Sequence, residues 1–167
     1  MEALEYIKSE AKVLYRNPVK QSSSAPTKKV ILSPSQQEIV EDFLLNYKKG
    51  IRKTCLLYGV TGSGKTEVYI EIIEKMIQAG KQVIVLIPEI SLTYQTVMRF
   101  YQRFGDRVSI MNSRLSQGER YDQYVRAKKG DIDIMIGPRS ALFTPFERLG
   151  LIIIDEEHEG SYKSENP

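Results

Sequence analysis

Apolar positions along the chain recur with helical spacing in some stretches and form short apolar or alternating runs in others. The helical spacing predicts helices, each followed by a glycine, over residues 34–49, 65–79, 92–104 and 117–129. The runs predict strands over residues 55–58, 82–87, 107–111, 131–136 and 149–154. Nearly continuous apolar strands that alternate with helices are typical of a mostly parallel sheet with helices on both faces. The pattern therefore predicts an α/β domain.

Two of these helices carry start signals in the sequence. Ser33 and Gln36 form a predicted capping box with Pro34 at the first helical position, and Ser116 with Glu119 forms another. In the helix after Ser33, the predicted inward positions are Ile39, Phe43, Leu44 and Tyr47. In the helix that begins at Lys65, they are Val68, Ile72, Ile73, Met76 and Ile77.

The beginning of the chain differs in character from the rest. Residues 2–15 have apolar positions at helical spacing, whereas residues 17–29 contain Pro18, Pro26 and a run of serines. We interpret residues 1–29 as an N-terminal helix and a linker from a preceding domain. Residues 30–167 then form the main domain.

Composition narrows the class of protein. The 167 residues suffice for one domain with flanking sequence, and 41% hydrophobic with 27% charged residues indicate a folded chain. The net charge of +3 permits a nucleic-acid partner without arguing for one. Cys55, the only cysteine, excludes an internal disulfide or cysteine zinc site, and its apolar neighbours predict a buried thiol. Without a signal core or an apolar stretch of membrane-spanning length, we expect a cytoplasmic protein and no membrane partner.

The clearest chemical signal is a phosphate-binding loop between a predicted strand and a predicted helix. Its residues are Gly59, Val60, Thr61, Gly62, Ser63, Gly64, Lys65 and Thr66. Glycines let successive N–H groups point at phosphate oxygens, and the helix N-terminus adds partial positive charge. Lys65 supplies a full charge for the β- and γ-phosphates, and the Thr66 hydroxyl is a predicted Mg²⁺ ligand. The alternative, a glycine-rich turn without a ligand, requires neither Lys65 nor Thr66.

A second chemical signal follows the last apolar run, where Asp155 and Glu156 come directly after Ile154. A carboxylate at the carboxyl end of a central strand lies beside the phosphate loop in sheets of this kind. Asp155 is therefore a predicted Mg²⁺ ligand, and Glu156 is predicted to orient and polarise the attacking water. The alternative is an ordinary solvated acidic turn.

Several longer segments resemble PriA-type replication-restart DNA helicases of superfamily 2. Residues 155–158 are similar to motif II, residues 88–93 to motif Ia, residues 113–120 to the segment before the next strand, residues 136–143 to motif Ib, and residues 160–163 to the start of an aromatic-rich loop. The resemblance covers roughly residues 31–167. Tyr94, Asn112 and Pro138 depart from the family pattern.

The resemblance assigns roles to residues outside the two phosphate segments. His158, otherwise a structural histidine, would relay the state of the γ-phosphate, and Gln36, otherwise only a capping residue, would read the adenine. The implied DNA contacts, all independent of base sequence, are Ser91, Thr93, Arg139, Ser140 and Tyr162. The alternatives are a helix cap at Ser91, a surface ion pair at Arg139 and a solvated loop tyrosine at Tyr162.

The fold implied by the resemblance is a RecA-like P-loop NTPase domain, with ATP and Mg²⁺ as cofactors. The implied activity is translocation along single-stranded or forked DNA, with unwinding at replication restart and other primosome proteins as partners. The resemblance further implies that a second motor lobe, DNA-binding domains and a zinc region lie outside this chain, which would be truncated after motif II. We therefore expect the isolated chain to bind nucleotide weakly, to hydrolyse it very slowly and not to unwind DNA.

Two other functions remain open at this point. A small-molecule P-loop kinase would need an arginine-bearing lid, which the sequence does not offer. A nucleotide-gated binding module would not turn over ATP, and the combination of Lys65, Asp155 and Glu156 argues against it for the whole protein.

Overall fold

The computed structural model describes residues 30–60 and 62–162, in which helices and strands alternate. The helices are α1 (Pro34–Lys48), α2 (Lys65–Gln78), α3 (Tyr94–Phe104) and α4 (Gln117–Lys129). The strands are β1 (Gln82–Leu86), β2 (Val108–Ile110), β3 (Ile134–Gly137) and β4 (Leu149–Ile154). Short 3-10 helices cover Gly105–Arg107, Arg139–Phe143 and Gly160–Tyr162. The predicted N-terminal helix and linker lie outside the described residues.

The strands form one parallel sheet in the order β2-β3-β1-β4. In its centre Leu86 pairs with Gly137 on one side and with Ile154 on the other. The carboxyl ends of β3, β1 and β4 therefore meet at one edge of the sheet, which is where parallel α/β folds bind ligands. The predicted α/β class is confirmed, and the arrangement is that of a RecA-like domain.

Successive side chains of β1 enter two different hydrophobic cores. Val83, Val85 and Ile87 pack in a cluster with residues of α1, α2 and α3. Ile84 and Leu86 pack in a second cluster, which contains Ala127 of α4. Since strand side chains alternate between the two faces, helices cover both sides of the sheet, as predicted.

The helix start signals are confirmed. The Ser33 hydroxyl accepts from the Gln36 N–H, while Oε1 of Gln36 accepts from the Ser33 N–H at 2.9 Å. Ser116 and Glu119 form the same reciprocal pair. Of the predicted inward positions of α1, Phe43, Leu44 and Tyr47 pack against the core. Ile39 was wrong, because it is 42% exposed and its neighbour Val40 is buried instead.

The predicted strand over residues 55–58 is wrong. These residues form no strand, Leu56 and Tyr58 are 74% and 92% exposed, and the Cys55 thiol is exposed instead of buried. An apolar run becomes a strand only where a neighbouring strand supplies hydrogen bonds. Among the described residues the run pairs with no strand, and β4 pairs only with β1. With nothing paired on its other edge in this part of the chain, β4 is not fully buried.

None of the helices in residues 30–60 and 62–162 has the length and apolar character that crossing a membrane requires.

Candidate functional site

The phosphate-binding loop leads directly into α2. Gly62 and Gly64 have φ angles of 80° and 82°, a backbone region that side chains disfavour. A Cβ atom at Gly64 would also lie 2.6 Å from Nε2 of Gln36. Nζ of Lys65 donates to the carbonyl oxygens of Gly59 at 2.6 Å and Val60 at 3.0 Å. The lysine charge therefore lies against its own loop. Thr61 lies outside the described residues.

Gln36 connects the start of α1 to this loop. Its Nε2 donates to the Ser63 carbonyl at 3.0 Å, while its Oε1 accepts from the Ser33 N–H at 2.9 Å. The capping role of Gln36 is thus confirmed, and the same amide touches the phosphate loop. Its contact with adenine stays a prediction.

Asp155 connects the acidic segment to α2. Its backbone N–H donates to the Leu86 carbonyl at 2.8 Å, which fixes it at the carboxyl edge of the sheet. The Tyr69 hydroxyl donates to the Asp155 carboxylate at 3.0 Å, and Tyr69 lies about one helical turn after Thr66 in α2. One phenol therefore joins the helix that follows the phosphate loop to the acidic segment. The two segments lie on the same side of the sheet.

Tyr69 was not predicted from the sequence as a site residue. Its ring is buried against Phe100, with 6.3 Å between the ring centroids. Burial first, and the Asp155 charge second, raise the pKa of the Tyr69 phenol well above its ordinary value, so the phenol stays a neutral donor. The available signal was a tyrosine one helical turn after Lys65, on a face that is otherwise apolar.

Glu156 has an unusual backbone and a single side-chain contact from a distant loop. Its φ of 51° is the only positive value of a non-glycine residue in the described part of the chain. The Ser91 hydroxyl donates to the Glu156 carboxylate at 3.1 Å. This contact links the segment after β1 to the segment after β4. Ser91 does not cap α3, because the Thr93 side chain accepts from the Thr96 N–H and fills that position.

Tyr162 packs back onto the acidic segment. Its hydroxyl donates to the Asp155 carbonyl at 3.1 Å, and its ring packs against the second hydrophobic cluster. Burial raises the pKa of the Tyr162 phenol, and the charges of Asp155, Glu156 and Glu159 add to the shift. Tyr162 is therefore not a solvated loop residue. Whether it contacts DNA stays a prediction.

The remaining predicted residues lie at the same edge but are not joined to the carboxylates. Arg139 and Ser140 are exposed in the 3-10 helix after β3, and Arg139 forms no ion pair with any described residue. His158 is exposed in the turn after Glu156. At Gly137 a Cβ atom would lie 2.3 Å from the Met111 carbonyl oxygen, so this motif Ib glycine has a packing reason.

Glu89 was not predicted from the sequence as a site residue. It binds the loop that contains Ser113 at this edge of the sheet. Its carboxylate accepts from the Ser113 N–H at 3.1 Å and from the Ser113 hydroxyl. The Ser113 hydroxyl is the main reason that the pKa of Glu89 is below its ordinary value. Glu89 and Ser113 thus form a second serine–glutamate pair beside that of Ser91 and Glu156.

The oxygen groups around Tyr69 suit a hard cation. No group of three or more histidine, cysteine, aspartate or glutamate side chains that could hold a metal occurs in the described residues. Mg²⁺ does not need such a cage, since one or two protein oxygens and the substrate phosphates usually hold it. Asp155, which accepts from the Tyr69 hydroxyl, and Thr66, one helical turn before Tyr69 in α2, offer those oxygens.

Known proteins resemble this chain over most of its length. The family model described as Type III restriction enzyme, res subunit (ResIII), matches residues 29–166. The replication restart protein PriA of Bacillus subtilis (strain 168) is 46% identical over 159 residues, which are 95% of this chain and 20% of that protein. PriA of Chlamydia pneumoniae is 44% identical over 137 residues, 81% of this chain and 18% of that protein. The chain therefore spans about a fifth of the length of these relatives.

Proposed function

Because the chain belongs to the ResIII family and is similar to PriA proteins over most of its length, we propose that it is the ATP-binding lobe of a DNA helicase that acts in replication restart. The observation that carries the proposal is the hydrogen bond from the Tyr69 hydroxyl to Asp155, which joins the acidic segment to the helix that begins with Lys65 and Thr66. An acidic segment held one helical turn from the end of the phosphate loop is close enough to serve the same nucleotide.

In this proposal the nucleotide is ATP. The loop residues 59–64, Thr61 among them, present N–H groups to the phosphates, and Lys65 leaves the carbonyls of its loop to bind the β- and γ-phosphates. Thr66 and Asp155 would hold Mg²⁺, and the metal would supply positive charge to the phosphate oxygens. Gln36, which touches the loop through Ser63, reads the adenine.

Hydrolysis then requires a water molecule aligned with the γ-phosphorus. Glu156 orients this water, whose oxygen bonds to the γ-phosphorus as the bond to the β–γ bridging oxygen breaks. The proton leaves through the Glu156 carboxylate, and ADP and phosphate are the products. His158 relays the state of the γ-phosphate to the DNA side.

The strand of DNA lies at the carboxyl edge of the sheet. Its backbone contacts are Ser91, Thr93, Arg139 and Ser140, and Tyr162 stacks on a base. Hydroxyl groups and one guanidinium suit phosphates and carry no preference for bases, which a translocating motor requires. In the whole protein, residues 30–167 act as the first motor lobe, and residues 1–29 connect it to a preceding domain. A second motor lobe and other primosome proteins act together with this lobe.

The proposal is tested by ATP hydrolysis in the full-length protein with and without single-stranded DNA. Lys65→Ala should lower the DNA-stimulated rate by about a hundredfold or more, because a preorganised charge on the transferred phosphoryl group is lost. Lys53→Ala, which removes an exposed lysine outside the loop, is the matched control and should keep the wild-type rate. A Lys65→Ala protein that hydrolyses ATP normally contradicts the proposal.

A further inference from the structure

The hydrogen bond from Ser91 to Glu156 joins a proposed DNA contact to the proposed water-orienting residue. We propose that Ser91 is a positioning residue: its hydroxyl holds the Glu156 carboxylate away from the attacking water and releases it when a DNA phosphate takes the hydroxyl instead. Strand binding would thereby switch on hydrolysis. The inference rests on the proposed function. It adds a way in which DNA binding at Ser91 changes the rate of ATP hydrolysis at Glu156.

The backbone of Glu156 is held on both sides, whereas its side chain is held by one bond. Asp155 before it donates its N–H to the Leu86 carbonyl at 2.8 Å, and Glu159 after it donates to the Glu156 carbonyl at 2.9 Å. Between them Glu156 has its φ of 51°, a conformation that persists only where the surroundings enforce it and that concentrates at functional sites. The exposed carboxylate is therefore the part that can change position.

Ser91, like Glu156, has a backbone fixed by hydrogen bonds and a side chain that can move. Its N–H donates to the Pro88 carbonyl at 2.9 Å, and its carbonyl accepts from the Thr93 N–H at 2.8 Å and from the Thr96 hydroxyl at 3.3 Å. These contacts fix the backbone and leave the side-chain hydroxyl as the group that can exchange partners. Loss of that hydroxyl should therefore leave the turn intact.

The competition between carboxylate and phosphate follows from the chemistry of the hydroxyl. A serine hydroxyl has one proton to donate, so it cannot donate to Glu156 and to a phosphate at the same time. A phosphate at Ser91 also brings negative charge beside the Glu156 carboxylate, and like charges repel. Both effects favour release of Glu156 when DNA arrives.

The test measures ATP hydrolysis by the full-length protein as a function of ATP and of single-stranded oligonucleotide. Ser91→Ala should raise the DNA-free kcat by about threefold to tenfold, which is the population shift expected from one lost hydrogen bond, with the KM for ATP unchanged. The stimulation by DNA should fall by the same factor. Ser91→Thr keeps the hydroxyl and should restore the wild-type ratio.

Ser113→Ala is the matched control, because it removes a serine that donates to a different carboxylate, Glu89, at the same edge of the sheet. Its DNA-free rate should equal that of the wild type. A Ser91→Ala protein that loses affinity for DNA without any rise in its DNA-free rate overturns the inference, since Ser91 would then be a DNA contact only. A wild-type protein whose hydrolysis does not respond to DNA would instead remove the proposed function.

Discussion

The two halves of the sheet are built differently. In β3 the residues Ile134, Met135 and Ile136 are fully buried between two layers of helices, whereas in β4 the residues Ile152 and Ile154 are 41% and 52% exposed. The predicted phosphate chemistry lies on the second half, where individual polar contacts at Tyr69, Ser91 and Gln36 hold the segments together. The fold is thus secured by burial on one side, and the site is arranged by single hydrogen bonds on the other.

The largest expected effect tests this comparison on one pair of residues. Ile84 and Ile152 are direct neighbours in the β1–β4 register, yet Ile84 is fully buried and Ile152 is not. Ile84→Ala should lower the free energy of unfolding by about 2–5 kcal/mol, and Ile152→Ala by less than about 1.5 kcal/mol, because only the first leaves a cavity. Urea unfolding of the two variants measures both values. Equal losses of unfolding free energy in the two variants would mean that the two halves of the sheet contribute equally to stability.

The strands that pair in the sheet, the partly exposed β4 included, are elements that the sequence predicted well. The strands over residues 82–87 and 131–136 and the helix from Lys65 rest on local periodicity, and each appears within a few residues of its predicted bounds. The run at residues 55–58 has the same local pattern but pairs with no strand. Whether a run pairs with another strand depends on the whole sheet and cannot be predicted from the local pattern.

The site residues fall into the same two groups: those predicted from local spacing and those whose contacts depend on the assembled sheet. The phosphate loop and the capping box of Gln36 could be predicted because their spacing is short and fixed by backbone geometry. The contacts between Tyr69 and Asp155 and between Ser91 and Glu156 join residues 86 and 65 positions apart. Contacts at such separations depend on the assembled sheet, so the sequence pointed to the carboxylates, and to Ser91 as a DNA contact, but not to the hydrogen bonds that hold the carboxylates.

The second largest effect is expected where the two halves meet, at Tyr69. Tyr69→Phe leaves the buried ring in place and removes only the hydroxyl that donates to Asp155. The free energy of unfolding should fall by about 1.5–3 kcal/mol, the usual net value of a hydrogen bond to a charged group. In a double-mutant cycle with Asp155→Asn, the losses should be strongly non-additive. Additive losses in urea unfolding would show that the two side chains do not interact.

The same phenol predicts a smaller, pH-dependent effect. Burial and the Asp155 charge raise the pKa of folded Tyr69 above its ordinary value of 10.0. Above pH 10 the unfolded chain releases this proton while the folded chain retains it, so stability is lost as pH rises further. The advantage of the wild type over Tyr69→Phe should therefore shrink by about 1.4 kcal/mol per pH unit in this range. A constant difference between the two proteins from pH 9 to pH 11 would contradict the raised pKa.

The smallest effect is expected at Glu89, whose contacts are solvent-exposed although they lie at the same edge of the sheet. The pKa of Glu89 is lowered by the Ser113 hydroxyl, so the ionised form contributes stability above the ordinary value of 4.5, and that contribution is lost as pH falls through the lowered pKa. Water screens an exposed pair of this kind, and Glu89→Gln should therefore cost less than about 0.5 kcal/mol at pH 7. Since protonated glutamate resembles glutamine, the difference between the urea midpoints of the wild type and the variant should shrink as pH falls below 4.5. If Glu89→Gln lowered the free energy of unfolding by more than Ile152→Ala does, the loops at this edge would contribute substantially to stability. The proposed division between a buried supporting half and a site held by single hydrogen bonds would then be wrong.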